Sequence, residues 1–96
     1  MKISELRPGM KGVSLIGKIQ EVSVPRDVVT RFGGMSRVAD AVLADESGIV
    51  KMSLWNEQID QVKAGDSIQI ENGYVTSFRG EKQLNVGRYG KLSVLE

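Results

Sequence analysis

The 96-residue chain contains no cysteine and no histidine, and each absence excludes a class of chemistry. Without cysteine, disulfides, zinc fingers and zinc ribbons are excluded. Without histidine, the chain cannot carry a Ser-His-Asp triad, and it lacks the commonest transition-metal ligand. The sequence shows neither a nucleophile–base pair nor a cluster of metal ligands. We therefore expect that the protein is not an enzyme and that it has no catalytic site, no metal site and no cofactor.

Strong charge of one sign and long apolar runs are also absent. Thirteen Lys and Arg residues stand against 12 Asp and Glu residues, so the net charge is +1. No apolar run approaches the roughly 18 residues that a membrane span needs, and the N-terminus has no signal-peptide core. We expect an intracellular protein with no membrane partner. The length fits one domain, over residues 1–96.

Aromatic residues are scarce, with one Trp, two Tyr and two Phe. Valine, isoleucine and leucine together number 26. Because these aliphatic side chains can fill a small core alone, the aromatic residues are available for another role. Their positions on the predicted strands therefore bear on function.

Alternation of apolar and polar residues with a period of two predicts five strands, over residues 13–24, 35–44, 49–55, 67–78 and 83–88. Residues 25–34 are predicted as a long connection and residues 45–48 as the tight turn of a hairpin. Asn72 and Gly73 interrupt the fourth strand. Asn56 is predicted to cap a short helix that carries the apolar pair Ile59 and Val62. Gly17 lies on the inward face of the first strand, where a small barrel bends sharply.

The fold class that follows is all-β, with one short helix between the third and fourth strands. This element order is that of an OB-fold, a five-stranded Greek-key barrel. An SH3-like barrel is the alternative, but it usually lacks a helix at this position. The sequence therefore favours the OB-fold.

The tryptophan occupies a polar phase of the third predicted strand. One face of this strand carries Val50, Met52 and Leu54, whereas Trp55 shares the other face with Lys51 and Ser53. In the fourth strand, Tyr74 and Phe78 share a face with Thr76. A single aromatic residue in such a phase is better explained by packing under a loop or under the N-terminal segment, residues 1–10. Three of them favour a binding face, because each base stacked on an aromatic ring contributes about 1–3 kcal/mol without any large net charge.

Several basic residues are expected near this aromatic face. Lysine and arginine are ordinarily solvated surface charges, and phosphate contact is the alternative. Their interleaving with the aromatic residues leaves solvation and phosphate contact as equal alternatives. The candidates are Lys18, Lys51, Arg79, Lys82 and Arg88. The neighbouring carboxylates Asp45 and Glu46 are interpreted as turn formers rather than as catalytic groups.

Several segments resemble the simple single-stranded DNA-binding proteins that consist of one OB-fold, found in archaea and, as related proteins, in eukaryotes. The similar segments are Leu6–Met10, Val50–Trp55, Val62–Asp66, Ile70–Tyr74, Phe78–Gly80 and Leu84–Gly87. They cover nearly the whole chain, and the spacing over residues 50–87 is specific. Phe32 lies in a loop that matches poorly, and no role is assigned to it.

The resemblance implies that single-stranded DNA crosses the open barrel face and that its bases stack on Trp55, Tyr74 and Phe78. It also places Asn85 where a further base contact is expected. The implied function is binding of single-stranded DNA, with little sequence preference, in replication, repair or recombination. Protein partners would come from those processes. The family is related to the OB domains of replication protein A.

Two other functions remain open from the sequence. The first is an RNA- or tRNA-binding OB module, which a comparison of matched DNA and RNA oligonucleotides would distinguish. The second is a protein-interaction OB domain whose aromatic face docks a partner chain. Quenching of Trp55 fluorescence by an oligonucleotide would separate the nucleic-acid functions from the protein-docking function.

Overall fold

The computed structural model describes residues 1–29, 31, 33–86 and 90–95. Over these residues the chain forms seven strands, one α-helix and one short 3₁₀ helix. The strands are β1 (Val13–Val22), β2 (Arg26–Val29), β3 (Met35–Asp45), β4 (Gly48–Trp55), β5 (Ser67–Phe78), β6 (Glu81–Asn85) and β7 (Lys91–Leu95). The α-helix α1 comprises Glu57–Gln61, and the 3₁₀ helix Ile3–Glu5 precedes β1.

Five of the strands close into a ring. They follow one another in the order β1-β3-β4-β6-β5, and β5 pairs in turn with β1. Neighbours in the ring are antiparallel except for β4 and β6, which pair in parallel. Helix α1 stands between β4 and β5 in the chain. This topology agrees with the predicted Greek-key OB architecture.

Aliphatic side chains fill the interior of the ring. Along β1, buried residues alternate with exposed ones, so Val13, Leu15 and Ile19 point inward. Ile59 and Val62, predicted to form a helix stripe, both belong to the core, but only Ile59 lies on α1, since Val62 follows the helix in an extended conformation. The largest fully buried side chains are Ile3, Leu6, Ile19, Leu43, Met52, Leu54, Ile68, Ile70, Leu84, Val13 and Val75.

Gly17 lies on the inward face of β1, as predicted. A Cβ atom at this position would lie 2.8 Å from Cγ of Leu43 and 3.1 Å from the carbonyl oxygen of Ala44. Both distances are shorter than an ordinary van der Waals contact. Glycine is therefore favoured here, because any side chain would push β1 and β3 apart or displace Leu43.

The prediction of a plain connection over residues 25–34 is wrong in part, because this segment contains β2. The strand pairs with β3 from Arg26 opposite Val38 to Val29 opposite Met35. Four residues are too few for a clear alternation, and a strand outside the ring has no core face that would impose one. The β-branched pair Val28 and Val29 was the available signal.

The predicted fourth strand is confirmed as β5 with the same bounds, and the predicted interruption at Asn72 and Gly73 is a local irregularity rather than a break. Its pairing with β1 shifts from Leu15 opposite Ile70 to Val13 opposite Gly73. Asn72 has a φ of 56° at this shift. The residues that resemble a turn therefore form an irregularity within a continuous strand, as a β-bulge does.

Strand β7 is absent from the sequence prediction. It pairs with the first half of β5, from Ser67 opposite Leu95 to Glu71 opposite Lys91, whereas β6 pairs with the second half. The predicted fifth strand is shorter than expected, since β6 ends at Asn85. The remainder of that prediction includes Arg88, which lies outside the described residues.

Candidate nucleic-acid interface

The outward face of β4 carries Lys51, Ser53 and Trp55, as the sequence phase predicts. Residues that pair across two strands point to the same side of a sheet. In β3 the partners of Ser53 and Trp55 are Asp40 and Val38. The indole side chain of Trp55 is 40% exposed, whereas Met52 and Leu54 are fully buried on the other face. The tryptophan is thus on the outer surface of the ring.

Three hydrogen bonds fix the backbone on either side of Trp55. The amide of Trp55 donates to Oε1 of Gln58 at 3.0 Å. The amide of Asn56 donates to the carbonyl of Arg37 at 2.9 Å, and the amide of Arg37 donates to Oδ1 of Asn56 at 3.0 Å. Asn56 occupies the N-cap position of α1, as predicted, but its side chain makes no cap hydrogen bond and extends the β3–β4 pairing instead.

Tyr74 belongs to the same outer surface. It pairs with Asn85 of β6, and Asn85 pairs with Ser53 of β4. The tyrosine side chain is 40% exposed. Trp55 lies two strand spacings, about 10 Å, across the sheet from Tyr74 and two residues, about 7 Å, further along the strand, so the two backbones are about 12 Å apart. The two rings can therefore contact different bases of one strand of nucleic acid.

Two adjoining grooves meet at Trp55. The first, about 480 Å³, lies on the side of the β2–β3 hairpin and is lined by Arg26, Val28, Val29, Val38, Asp40, Lys51, Ser53, Trp55, Glu81, Lys82 and Gln83. The second, about 680 Å³, is lined by Trp55, Asn56, Glu57, Gln58, Gln61, Tyr74, Val86, Gly90, Lys91 and Leu92. We call them the hairpin groove and the helix groove. The tryptophan forms the ridge between them.

The sheet between the two aromatic rings is polar and tightly connected. Ser53 and Asn85 are 6% and 9% exposed. Nε2 of Gln83 donates to Oγ of Ser53, and Nδ2 of Asn85 donates to Oγ1 of Thr76 at 3.1 Å and to the carbonyl of Gln83 at 3.2 Å. Because the Asn85 amide nitrogen is already engaged, Asn85 braces the surface that carries Tyr74. The base contact expected of Asn85 stays a prediction.

The basic residues predicted to contact phosphates lie in different parts of the fold. Lys51 and Lys82 line the hairpin groove. Nζ of Lys51 lies 2.9 Å from Oε2 of Glu81, and the hydrogen bond and charge of Glu81 raise the pKa of the lysine. Arg79 is exposed in the turn between β5 and β6, next to Phe78.

Lys18 is not brought together with the others. It pairs with Ala44, whose partner in β4 is Ile49. Six residues separate Ile49 from Trp55, which is about 20 Å along a strand. The expectation that Lys18 lies near the aromatic face is therefore wrong.

Two predicted site positions cannot be placed. The backbone of Phe78 ends β5 opposite Glu81, but its side chain lies outside what the structure describes, as does all of Arg88. Their stacking and phosphate-binding roles stay predictions.

The sequence patterns did not identify the side of the hairpin groove that β2 and β3 form, which we call the hairpin wall. Arg26, Val28, Val29 and Val38 line the hairpin groove because β2 folds against β3. Val38 is only 3% exposed although it shares the outer face with Trp55. Recognition of Val28 and Val29 as a strand would have identified this wall.

The described residues offer no group of three or more carboxylate, histidine or cysteine side chains that could hold a metal ion. Across the same part of the chain, no helix is long and apolar enough to cross a membrane.

Comparisons with known proteins agree with the resemblance seen in the sequence. Residues 6–94 match the family described as single-stranded DNA binding protein Ssb-like, OB fold. The single-stranded DNA binding protein Ssb of Saccharolobus solfataricus is 34% identical over 92 residues, which cover 96% of this chain and 62% of that protein. Replication factor A of Methanothermobacter thermautotrophicus is also 34% identical over 92 residues, covering 92% of this chain and 12% of that protein.

A solved structure supports the same assignment. The second OB-fold domain of replication protein A from Methanococcus maripaludis is 25% identical, with a TM-score of 0.82 over 100% of this chain and 94% of that one. The predicted OB-fold is thereby confirmed. The chain spans about three fifths of the Saccharolobus protein and about one eighth of replication factor A. The chain belongs to the Ssb-like family of single-stranded DNA-binding proteins with an OB fold, which is related to replication protein A.

Proposed function

We propose that this protein binds single-stranded DNA with little sequence preference, by stacking bases on Trp55 and Tyr74 of the outer sheet surface. The observation that carries the proposal is the shared exposure of these two rings. Each is 40% exposed, and both border the helix groove. An apolar ring that is partly exposed beside a groove offers a flat surface to an unpaired base.

The lack of sequence preference follows from the chemistry of stacking. Every base has a π-face, whereas sequence readout needs hydrogen-bond groups directed at base edges. In the described surface the polar side chains between the rings largely bond to one another, as with Gln83 and Ser53. Phe78 would add a third stacking position. Lys51, Arg79, Lys82 and Arg88 would contact phosphates.

The cellular role that we propose is in DNA replication, repair or recombination, alongside protein partners from those processes. Its support is the similarity to replication factor A and to a replication protein A domain.

The test is a fluorescence titration of the protein with dT oligomers of increasing length. Trp55 is the single tryptophan, so quenching reports stacking at one known position. We expect quenching that saturates, with affinity that rises until the oligomer fills the site, in the range of about 4–16 nucleotides that OB-folds cover. A matched rU series measures the preference for DNA over RNA.

A duplex of the same length is the control. Its bases are paired and stacked, so they cannot reach Trp55 and Tyr74, and we expect much weaker binding and little quenching. Equal affinity for duplex and single strand, or binding of dT without any quenching, would contradict the proposal. Failure to bind any oligonucleotide would favour the protein-docking function instead.

A further inference from the structure

The hairpin groove carries two ion pairs, one toward each side of Ser53. On the β2–β3 side, NH1 of Arg26 lies 3.1 Å from Oδ2 of Asp40. On the β6 side, Nζ of Lys51 lies 2.9 Å from Oε2 of Glu81. All four residues line this groove. Each carboxylate therefore lies where it competes with a phosphate for the cation beside it.

The two pairs are electrostatically connected, and together they nearly neutralise the groove. Besides Glu81, the charge of Asp40 contributes to the raised pKa of Lys51. The charged residues that line the groove are Arg26, Lys51, Lys82, Asp40 and Glu81. Three cations against two carboxylates leave a net charge of +1. The groove is thus a weak attractor for phosphate although it contains three basic side chains.

Weak phosphate attraction does not affect the two forms of DNA equally. A duplex offers a protein of this kind its phosphates, and this sequence-independent electrostatic term supplies nearly all non-specific duplex binding. A single strand offers phosphates and also unpaired bases, which gain stacking energy on aromatic rings. Each cation also contributes more to duplex binding, because the duplex has the higher charge density: log affinity changes with log salt by about 0.9 per neutralised phosphate for a duplex and by about 0.7 for a single strand. Loss of a cation to a carboxylate therefore weakens duplex binding more than single-strand binding.

We propose that Asp40 and Glu81 determine the selectivity of this protein for single-stranded over duplex DNA, by occupying Arg26 and Lys51. The proposal rests on the proposed function and adds residues that no base or phosphate needs to touch. In this view the two carboxylates lower the affinity for every nucleic acid, and the stacking surface restores affinity for the single strand alone.

The exposure of the pairs makes the effect measurable without disturbing the fold. The four side chains are between 46% and 63% exposed. Exposed ion pairs of this kind contribute little to folding stability. The nearly isosteric changes Asp40→Asn and Glu81→Gln remove the charges and keep the shapes, so the double variant should fold as the wild type does.

The experiment compares affinities of the wild type and the D40N/E81Q variant for a dT oligomer and for a duplex of equal length, by fluorescence anisotropy over a salt series. The matched control is E46Q/D60N, which makes the same change in net charge. Glu46 and Asp60 pair with Lys2 and Arg37 at 3.7 Å, and none of these four residues lines the hairpin groove.

We expect D40N/E81Q to raise duplex affinity about three- to tenfold, the gain available from two exposed pairs. Single-strand affinity should rise less, so the ratio of the two affinities falls. The slope of log affinity against log salt for the duplex should steepen by about 0.9 for each cation that is freed. Adding Lys51→Met to E81Q should remove the gain that E81Q alone gives.

Three results would overturn the inference. The first is an unchanged ratio in D40N/E81Q, and the second is an equal change in E46Q/D60N, which would be an effect of net charge alone. The third is a gain that persists after Lys51→Met. These outcomes are distinct from failure of the proposed function, which is failure of the wild type to bind and be quenched by dT. That failure would overturn both.

Discussion

At the scale of single residues, Trp55 combines a fixed backbone with an exposed ring. Its amide and the flanking Asn56 are both hydrogen-bonded, whereas its side chain remains 40% exposed at the ridge between two grooves. The backbone that carries the ring is therefore fixed before any ligand arrives. If a base stacks on Trp55 as proposed, no backbone ordering has to accompany the contact.

Replacement of either exposed ring should weaken binding much more than it weakens the fold. We expect Trp55→Ala and Tyr74→Ala each to cost about 1–3 kcal/mol of binding, roughly 5- to 150-fold in affinity. Because both rings lie outside the core, the free energy of unfolding should fall by less than the about 3–5 kcal/mol that a buried aromatic residue costs. Anisotropy with a labelled dT oligomer and urea denaturation measure the two quantities.

Ile16→Ala is the matched control for these two variants. Ile16 is 55% exposed on β1, away from both grooves, so its truncation removes a comparable apolar surface without touching the site. Binding should not change. Unfolding of Trp55→Ala at a far lower urea concentration than the wild type would mean that the indole supports the core and that its phase has been misassigned.

The face of the strand that Trp55 occupies could be predicted from the sequence, whereas the ion-pair partner of Lys51 could not. The outward phase of Trp55 was predictable, because alternation along a strand depends on adjacent residues. The pairing of Lys51 with Glu81 was not, because it follows from the parallel contact between β4 and β6. A local pattern identifies a side chain's face, but the tertiary fold decides its electrostatic partner.

At the scale of elements, Asp45 joins the N-terminal segment to the turn between β3 and β4. Its Oδ2 accepts a hydrogen bond from the amide of Ile3 at 2.9 Å. Its Oδ1 accepts from the amides of Ser47 at 2.7 Å and Gly48 at 3.2 Å. Ile3 is only 1% exposed and belongs to the core. The turn former predicted from sequence thus also positions a core residue 42 positions away.

Removal of the Asp45 charge should destabilise the fold. Asparagine keeps one acceptor oxygen, so either the Ile3 amide or the turn amides lose their partner. The expected cost is about 1–3 kcal/mol. Urea denaturation at neutral pH measures it, and Glu46→Gln is the control. Glu46 makes an exposed ion pair with Lys2 at 3.7 Å, so this control should change stability by less than about 1 kcal/mol.

The same contact gives the stability a defined dependence on pH. Partial burial raises the pKa of Asp45, but hydrogen bonds from the Ser47 side chain and from the Ile3, Ser47 and Gly48 amides outweigh it and lower the pKa below its ordinary value of 3.8. Because folding lowers this pKa, the Asp45 carboxylate stabilises the fold at every pH above the ordinary value of 3.8. That stabilisation is lost as the pH falls below 3.8 and through the lower pKa of the folded protein. The stability difference between the wild type and Asp45→Asn should therefore shrink below about pH 4. A constant difference down to pH 2 would contradict this assignment.

Gly17→Ala tests the close approach of β1 and β3. The new methyl group would lie 2.8 Å from Cγ of Leu43, so the two strands must separate or Leu43 must change its conformation. Overpacking of this kind costs about 1–3 kcal/mol of folding stability. Thermal or urea unfolding measures the loss. The control is Ser14→Ala, at an exposed position of the same strand, which should be nearly neutral.

Element predictions succeeded where a strand has one buried face. Strands β1 and β4 belong to the ring, so their inward apolar residues alternate clearly with polar ones in the sequence. Strands β2 and β7 lie outside the ring, with β2 paired to β3 and β7 paired to β5. Their residues have no regular inside and outside, and a short strand without alternation cannot be distinguished from a loop. The missed β2 is also why the hairpin side of the site was missed.

At the scale of the whole molecule, the site depends on ring closure. Trp55, Tyr74 and the polar residues between them come from β4, β5 and β6, and they become neighbours because β4 and β6 pair in parallel. The whole chain has a net charge of only +1, and two of the basic residues at this surface, Arg26 and Lys51, are each paired with a carboxylate. Stacking should therefore supply most of the affinity and phosphate contact a smaller part.

The salt dependence of binding measures that balance. Log affinity for a single strand falls with log salt by about 0.7 for each phosphate that is neutralised. With two to four contacts from the basic residues near the rings, we expect a slope of about −1.5 to −3 for a dT oligomer. Lys82→Ala should flatten this slope by somewhat less than 0.7, since Lys82 lines the hairpin groove. Lys18→Ala makes the same change in net charge at the opposite end of the strands and should leave the slope unchanged.

Tyr74→Ala should lower the affinity at every salt concentration without changing the slope, because a stacked base releases no counterion. If Tyr74→Ala flattened the slope, or if Lys18→Ala acted as Lys82→Ala does, the assignment of stacking to the rings and of phosphate contact to the groove would be wrong.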